Sequence, residues 1–92
     1  MARSVKQLVI RREWLKKGIH AHLDLLMGSV VHAPSHSGHY LTDKVDGKTV
    51  TRYIRKGLVK KAGRMTDNHR RVRRMARELS GVNWELLKRE AL

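Results

Sequence analysis

The chain contains no cysteine and no phenylalanine, a single proline, and only two tryptophans and two tyrosines in 92 residues. Without cysteine there is no disulfide framework and no thiolate metal site. No apolar run approaches the roughly 20 residues that a bilayer-spanning helix requires, and the N-terminus lacks a secretory pattern. The expectation is a soluble, intracellular protein with no membrane partner. Trp14 and Trp84 stand alone, without the strongly apolar helical face of an interfacial membrane helix. Acids are also scarce: 8 aspartates and glutamates face 21 lysines and arginines, for a formal net charge of +13. Such an excess costs self-repulsion, and a polyanionic partner is the usual reason to keep it. So few acids supply no paired carboxylates, and neither a nucleophile elbow nor a phosphate-binding glycine loop is present. Catalysis is not expected, and no cofactor is implied.

What is present falls into three zones of a chain long enough for one domain with a modest core. From Ser4 to about Met27, Val5, Leu8, Leu15, Ile19, Leu23 and Leu26 recur mostly three or four apart, which predicts a helix over 4–27. Ser4 is placed to cap it, Gly18 weakens its middle, and Gly28 follows the last periodic residue as a C-terminal glycine. Ser29 to His32 is a short candidate strand, and a loop with Pro34 follows.

Residues 39–54 carry two β-branched runs around Asp46-Gly47, a strong signal for a two-residue hairpin turn. Closing there pairs Val45 with Lys48, Asp43 with Val50, Leu41 with Arg52 and His39 with Ile54, so that Leu41, Val45, Val50 and Ile54 define a core face. The opposite face holds Tyr40, Thr42, Lys44, Thr49, Thr51 and Tyr53. A two-stranded ribbon of this width fits a DNA major groove, which makes Thr42, Lys44, Lys48, Thr49, Thr51 and Tyr53 candidate contacts. The competing reading is an ordinary solvated strand face.

From about Lys56 to Glu90 the pattern predicts one long helix or two helices sharing an axis, with Gly63 and Gly81 as points of bending or interruption and Thr66 or Asp67 as a cap for a restart. Leu58, Met65, Val72, Leu79 and Leu86 recur every seven residues, with Ala62, His69, Ala76, Asn83 and Glu90 between them. Met75, Val82 and Leu87 widen that stripe. It suits packing within the chain, a homodimer, or docking on a larger protein partner. Lys60, Arg64, Arg70, Arg71, Arg73, Arg74 and Arg77 are candidate phosphate contacts, because arginine's planar fork matches phosphate oxygens. At 100° per residue Arg70, Arg74 and Arg77 point away from Val72, with Arg71 and Arg73 on the flanks. A merely solvated face would mix signs in i,i+4 pairs, whereas here only Asp67 interrupts the run.

The histidines form one further constellation. His32, His36 and His39 fall within eight residues, but no carboxylate or cysteine lies nearby to complete a zinc set, so no metal site is assigned.

The stretch Gly28-Ser29-Val30-Val31, Tyr40-Leu41, Val45-Asp46-Gly47-Lys48, Tyr53-Ile54, Leu58-Val59 and Asn68-His69-Arg70-Arg71-Val72-Arg73 resembles a family of short uncharacterised prokaryotic proteins linked to transposon, integrase and phage genes. The resemblance covers about residues 28–90. It implies a mobile-element context and supplies no catalytic residue. Members of that family often carry cysteines in the loop before the hairpin, where this chain has Pro34, Ser35, His36 and Ser37.

Together these features predict a single α+β domain over 1–92: an N-terminal helix, a small antiparallel sheet built on a β-hairpin, and a long basic C-terminal helix. The expected function is nucleic-acid binding, with duplex DNA favoured over RNA because only Tyr40 and Tyr53 offer stacking surfaces and no RNA module is recognisable. A protein-interaction module is the alternative from a different class.

Overall fold

A computed structural model describes residues 3–33 and 38–91. In chain order it contains helix α1 (Val5–Ala21), strands β1 (Ser29–Ala33), β2 (Gly38–Val45) and β3 (Lys48–Ile54), a 3-10 turn at Lys56–Leu58, and helix α2 (Val59–Lys88). The α+β architecture expected from the sequence is present: a helix, a three-stranded antiparallel sheet in the order β1-β2-β3, and a long helix. The chain packs as two compact units. One combines the segment up to Leu23 with that from Arg70 onward, and the other is Asp24–His69.

The first unit is a helix pair. Ser4 opens α1 with a reciprocal capping box: its hydroxyl accepts from the Gln7 N–H at 3.2 Å, and the Gln7 side chain accepts from the Ser4 N–H at 2.9 Å. Two orphan donors of the first turn are thereby satisfied. Leu8 and Leu15 are buried against Val82 and Leu86 of α2, with Val9, Met75 and Leu79 packed around them. Low numbers on α1 meet high numbers on α2, so the two helices run antiparallel. Gly18 is where a side chain would collide with the Met75 sulfur, 2.7 Å from an added Cβ. A side chain there would require Met75 to move its flexible end aside. The Arg11 guanidinium bonds both Glu78 carboxylate oxygens, Nη2 donating to Oε1 at 2.8 Å, and lies 4.3 Å over the Trp14 ring.

α1 ends at Ala21, six residues before the predicted stop at Met27. The His22 N–H bonds the Ile19 carbonyl, and its ring Nδ1 lies 2.7 Å from the Gly18 carbonyl oxygen. The following residues are used by the second unit instead. Leu26 joins the cluster of Leu41, Ile54 and Ala62, its N–H donates to the Met65 carbonyl at 3.0 Å, and Asn68 donates to the Asp24 carbonyl. Gly28 is thus not a helix terminator. Its φ of 115° turns the chain into β1, and a Cβ there would stand 2.3 Å from the Thr42 carbonyl oxygen.

The hairpin register is the predicted one, pair for pair, from Val45↔Lys48 to His39↔Ile54. Asp46 and Gly47 both have positive φ, 52° and 78°, as the two-residue turn demands. The core face is shorter than predicted. Leu41 and Ile54 are buried and Val50 is half-buried, but Val45 is 45% exposed. The cover on that face is Ala62 and Val59 of α2 with Leu26 and Val30, which pack on Leu41 and Ile54, and Val45 is not part of that cluster; β1 pairs with β2 from Gly38 to Thr42. Beyond that point β2 and β3 continue as a two-stranded ribbon.

α2 is a continuous helix through Gly63 and Gly81, so neither glycine interrupts it and no restart cap is needed. Thr66, offered as such a cap, is instead buried, its hydroxyl donating to the Gly63 carbonyl at 2.9 Å. The heptad stripe does not run as one seam either. In the sheet unit Ala62 and Thr66 are buried while Leu58 is 42% exposed. In the helix pair the buried positions are Val82 and Leu86, with Met75 and Leu79 packed beside them. Small residues are buried where the sheet approaches, and large ones where α1 does. No helix among the described residues is long and apolar enough to cross a membrane.

Candidate nucleic-acid interface

α2 is built from good helix formers but carries its charge against its own interest. Its first turn holds Lys60 and Lys61 and no acid, which opposes the positive end of the helix dipole at a cost of roughly 0.3–1 kcal/mol per charge. Farther along, Arg70, Arg73, Arg74 and Arg77 follow the i, i+3, i+4, i+7 spacing of one helix face. They line a single open depression to which no acid contributes. All four are exposed. Four like-charge pairs result (70 with 73, 70 with 74, 73 with 77, 74 with 77), each destabilising by about 0.2–0.5 kcal/mol. Among the described residues no acid lies within ion-pair distance of Arg73, Arg74 or Arg77; the nearest acid in sequence, Glu78, is held by Arg11.

The grouping refines the expected one. Arg73, expected on a flank, lines the depression with Arg70, Arg74 and Arg77, whereas Arg71 turns toward His22, its Nη1 standing 3.4 Å from the imidazole Nε2. Lys60 and Arg64 are exposed but belong to the sheet unit and are not part of this cluster.

The hairpin candidates are less concentrated. Thr42, Lys44, Thr49, Thr51 and Tyr53 share one face of the sheet with Tyr40, whose ring meets that of Tyr53 edge-on at 5.7 Å. Thr49, Thr51 and Tyr53 are exposed, Tyr53 at 64%. The Thr42 hydroxyl points to the Ser29 carbonyl at 3.4 Å, so part of its hydrogen-bonding capacity is used within the sheet. Lys48 pairs with Val45 and so alternates onto the opposite face from Lys44 and Thr49. Adding β1 also makes a three-stranded sheet, wider than a groove-reading ribbon, except at the tip from Asp43 to Val50. That tip carries Lys44 and Lys48 but also Asp43 and Asp46, and is neutral overall.

His32 and His39 face each other across β1 and β2 with ring centroids 4.8 Å apart. His36, like Pro34, Ser35 and Ser37, lies outside the described residues. No group of three metal-ligating side chains occurs among the described residues.

The electrostatics single out one pair. The hydrogen bond and charge of Arg11 hold the Glu78 carboxyl below its usual range, against a smaller desolvation effect, and Glu78 in turn raises Arg11. That pair is structural: it ties α1 to α2 and engages the Glu78 carboxylate, which lies next to Arg77 in the sequence. Compared with protein-family models, curated proteins and solved structures, the chain matches none.

Proposed function

We propose that this is a non-enzymatic nucleic-acid-binding protein that grips the phosphate backbone through Arg70, Arg73, Arg74 and Arg77, with duplex DNA favoured over RNA. The observation that carries the reading is the ridge itself: four guanidinium groups on one helix face around one open depression, with no acid lining it. A face that only had to be wet would not retain four mutually repelling pairs, whereas a polyanion turns that repulsion into attraction and releases condensed counterions as it binds. Arg71, Lys60 and Arg64 add positive potential that steers the ligand. The hairpin tip, with Lys44, Lys48 and Thr49, is a secondary contact, and any base reading belongs there or with Thr51 and Tyr53 rather than on the ridge. An accessory or regulatory role in a phage or mobile element, in a prokaryotic cytoplasm or on its nucleoid, agrees with the resemblance over residues 28–90.

The test is a salt series with duplex DNA, single-stranded DNA and structured RNA. Log affinity for duplex should fall linearly with log salt, with a slope of about −0.9 per phosphate neutralised. A flat response, or no binding to any of the three, removes the reading and leaves the protein-interaction module.

A further inference from the structure

The arginine ridge does not end at Arg77. Trp84 lies seven residues after Arg77 and eleven after Arg73, so at 100° per residue it falls within about 20° of both around the helix. At 1.5 Å per residue it stands about 10 Å beyond Arg77 along the axis. Ser80 and Gly81, both small and exposed, lie between them on either side of that line. Trp84 is 58% exposed. The other tryptophan, Trp14, has its ring covered by the Arg11 guanidinium, while no cation or second ring covers Trp84 among the described residues. A large aromatic surface therefore extends a phosphate-gripping ridge, bare and on the same line.

We infer that Trp84 is a stacking platform for an unpaired nucleobase, and that the preferred ligand is a nucleic acid with an unpaired base beside a stem. The inference rests on the nucleic-acid reading above and names the form of ligand that it leaves open. In an intact duplex each base is sandwiched between its neighbours and offers only its edges to a side chain. A tryptophan can stack only where a base is free, at a loop, an overhang or a frayed end. The backbone leading to that base would run along Arg77, Arg74, Arg73 and Arg70, so one helix face meets both features of a junction. Stacking of this kind is tolerant of sequence, because every base has a π-face. A second copy of the chain fits the patch poorly. Trp84 and its exposed neighbour Leu87 offer far less area than a stable interface needs, and the approach would bring two arginine ridges together.

The experiment uses the full chain with Trp14→Phe, which leaves Trp84 as the only tryptophan, and three ligands with equal numbers of phosphates. These are a duplex with both ends closed by non-nucleotide linkers, the same stem with a single-stranded overhang, and a single strand. Indole emission is expected to be quenched by the overhang ligand and not by the closed duplex. Trp84→Ala should weaken overhang binding by about ten- to a hundredfold, leave closed-duplex affinity and its salt slope unchanged, and be largely rescued by Trp84→Phe. If binding is salt-dependent but Trp84 emission is unmoved, or if Trp84→Ala affects both duplexes equally, this inference fails while the phosphate-binding reading stands. If no ligand binds, both fail. Emission that changes with protein concentration alone would show a second copy covering Trp84, and would also overturn it.

Discussion

Replacing Arg73, Arg74 and Arg77 by glutamine should weaken nucleic-acid binding and, at the same time, stabilise the protein. Glutamine and arginine have nearly equal helix propensity, so α2 should keep its length. All four like-charge pairs of the ridge include at least one of the three residues, so the triple variant removes every one. At about 0.2–0.5 kcal/mol per pair, the relief is on the order of 1–2 kcal/mol at low salt. For a chain of this size that corresponds to a melting temperature higher by roughly 4–10 °C. The gain should shrink as salt is added, because exposed charges are screened beyond a Debye length of about 10 Å at 0.1 M. Binding should move the other way. Losing three phosphate contacts lowers the slope of log affinity against log salt by about 2.7. Between 50 and 200 mM salt, the variant should therefore lose about fortyfold less affinity than the parent chain. Thermal melts by circular dichroism and fluorescence-anisotropy titrations, each over the same salt series, measure the two effects separately. A variant that melts lower than its parent at low salt would refute the assignment of these side chains to an unpaired outward ridge. An unchanged binding slope would refute their contact with phosphate.

Three further outcomes follow from the packing. Leu15 is fully buried between Leu8, Val82 and Leu86, and Leu15→Ala should cost about 3 kcal/mol, a fall in melting temperature of the order of 15 °C; a loss under 1 kcal/mol would mean this core does not form. Gly63 and Gly81 have open space where a Cβ would stand, so Gly63→Ala and Gly81→Ala should each stabilise α2 by about 0.5–1 kcal/mol, measured by urea unfolding, and a destabilisation would show a packing need for glycine there. The Arg11 pair lowers the Glu78 carboxyl in the folded state, so its contribution is present above the ordinary glutamate value and is lost as pH falls through the lowered one; Glu78→Gln should therefore flatten the acid limb of the stability profile, and an unaltered limb would remove the pair from the account.

The hairpin was legible because its turn chemistry fixes the register by itself. Once Asp46 and Gly47 are assigned to positive φ, every pair out to His39 and Ile54 is determined by counting. How far the core reaches along that hairpin was not legible. Burial of Val45 depends on what lies over that face of the sheet, and the cluster of Ala62, Val59, Leu26 and Val30 gathers on Leu41 and Ile54 without including it. The end of α1 escaped for a related reason. Leu23 and Leu26 keep helical spacing, but Leu26 is worth more to the Leu41 and Ile54 cluster than to another turn of helix, and periodicity records only that a residue is apolar, not what it will touch. The apparent heptad from Leu58 to Leu86 combined two separate packing patterns, and buried Ala62 and Thr66 carried little weight in a search for large apolar residues.

The candidate site was legible in part, and its missing portion concerns the aromatic rather than the charge. Arg70, Arg74 and Arg77 follow from helical geometry alone, and Arg73 needed only a side chain reaching in from the flank. In the sequence Trp84 reads only as an isolated tryptophan that argues against a membrane-surface helix, because a lone aromatic outside an apolar cluster names no ligand by itself. Its spacing of seven from Arg77 is visible in the sequence, and it acquires meaning only once Arg70, Arg73, Arg74 and Arg77 are seen to line one face and Trp84 to be exposed beyond them. The same reasoning bears on the ligand. An arginine ridge alone is satisfied by any polyanion of suitable phosphate spacing, whereas on the inference drawn for Trp84 an indole at its end would distinguish a paired base from a free one. Selectivity among nucleic acids would then arise on α2 from strand structure, with sequence reading, where it occurs, left to the hairpin's Thr49, Thr51 and Tyr53. These contributions are separable, because Trp84→Ala acts on ligands with free bases while the arginine substitutions act on all of them.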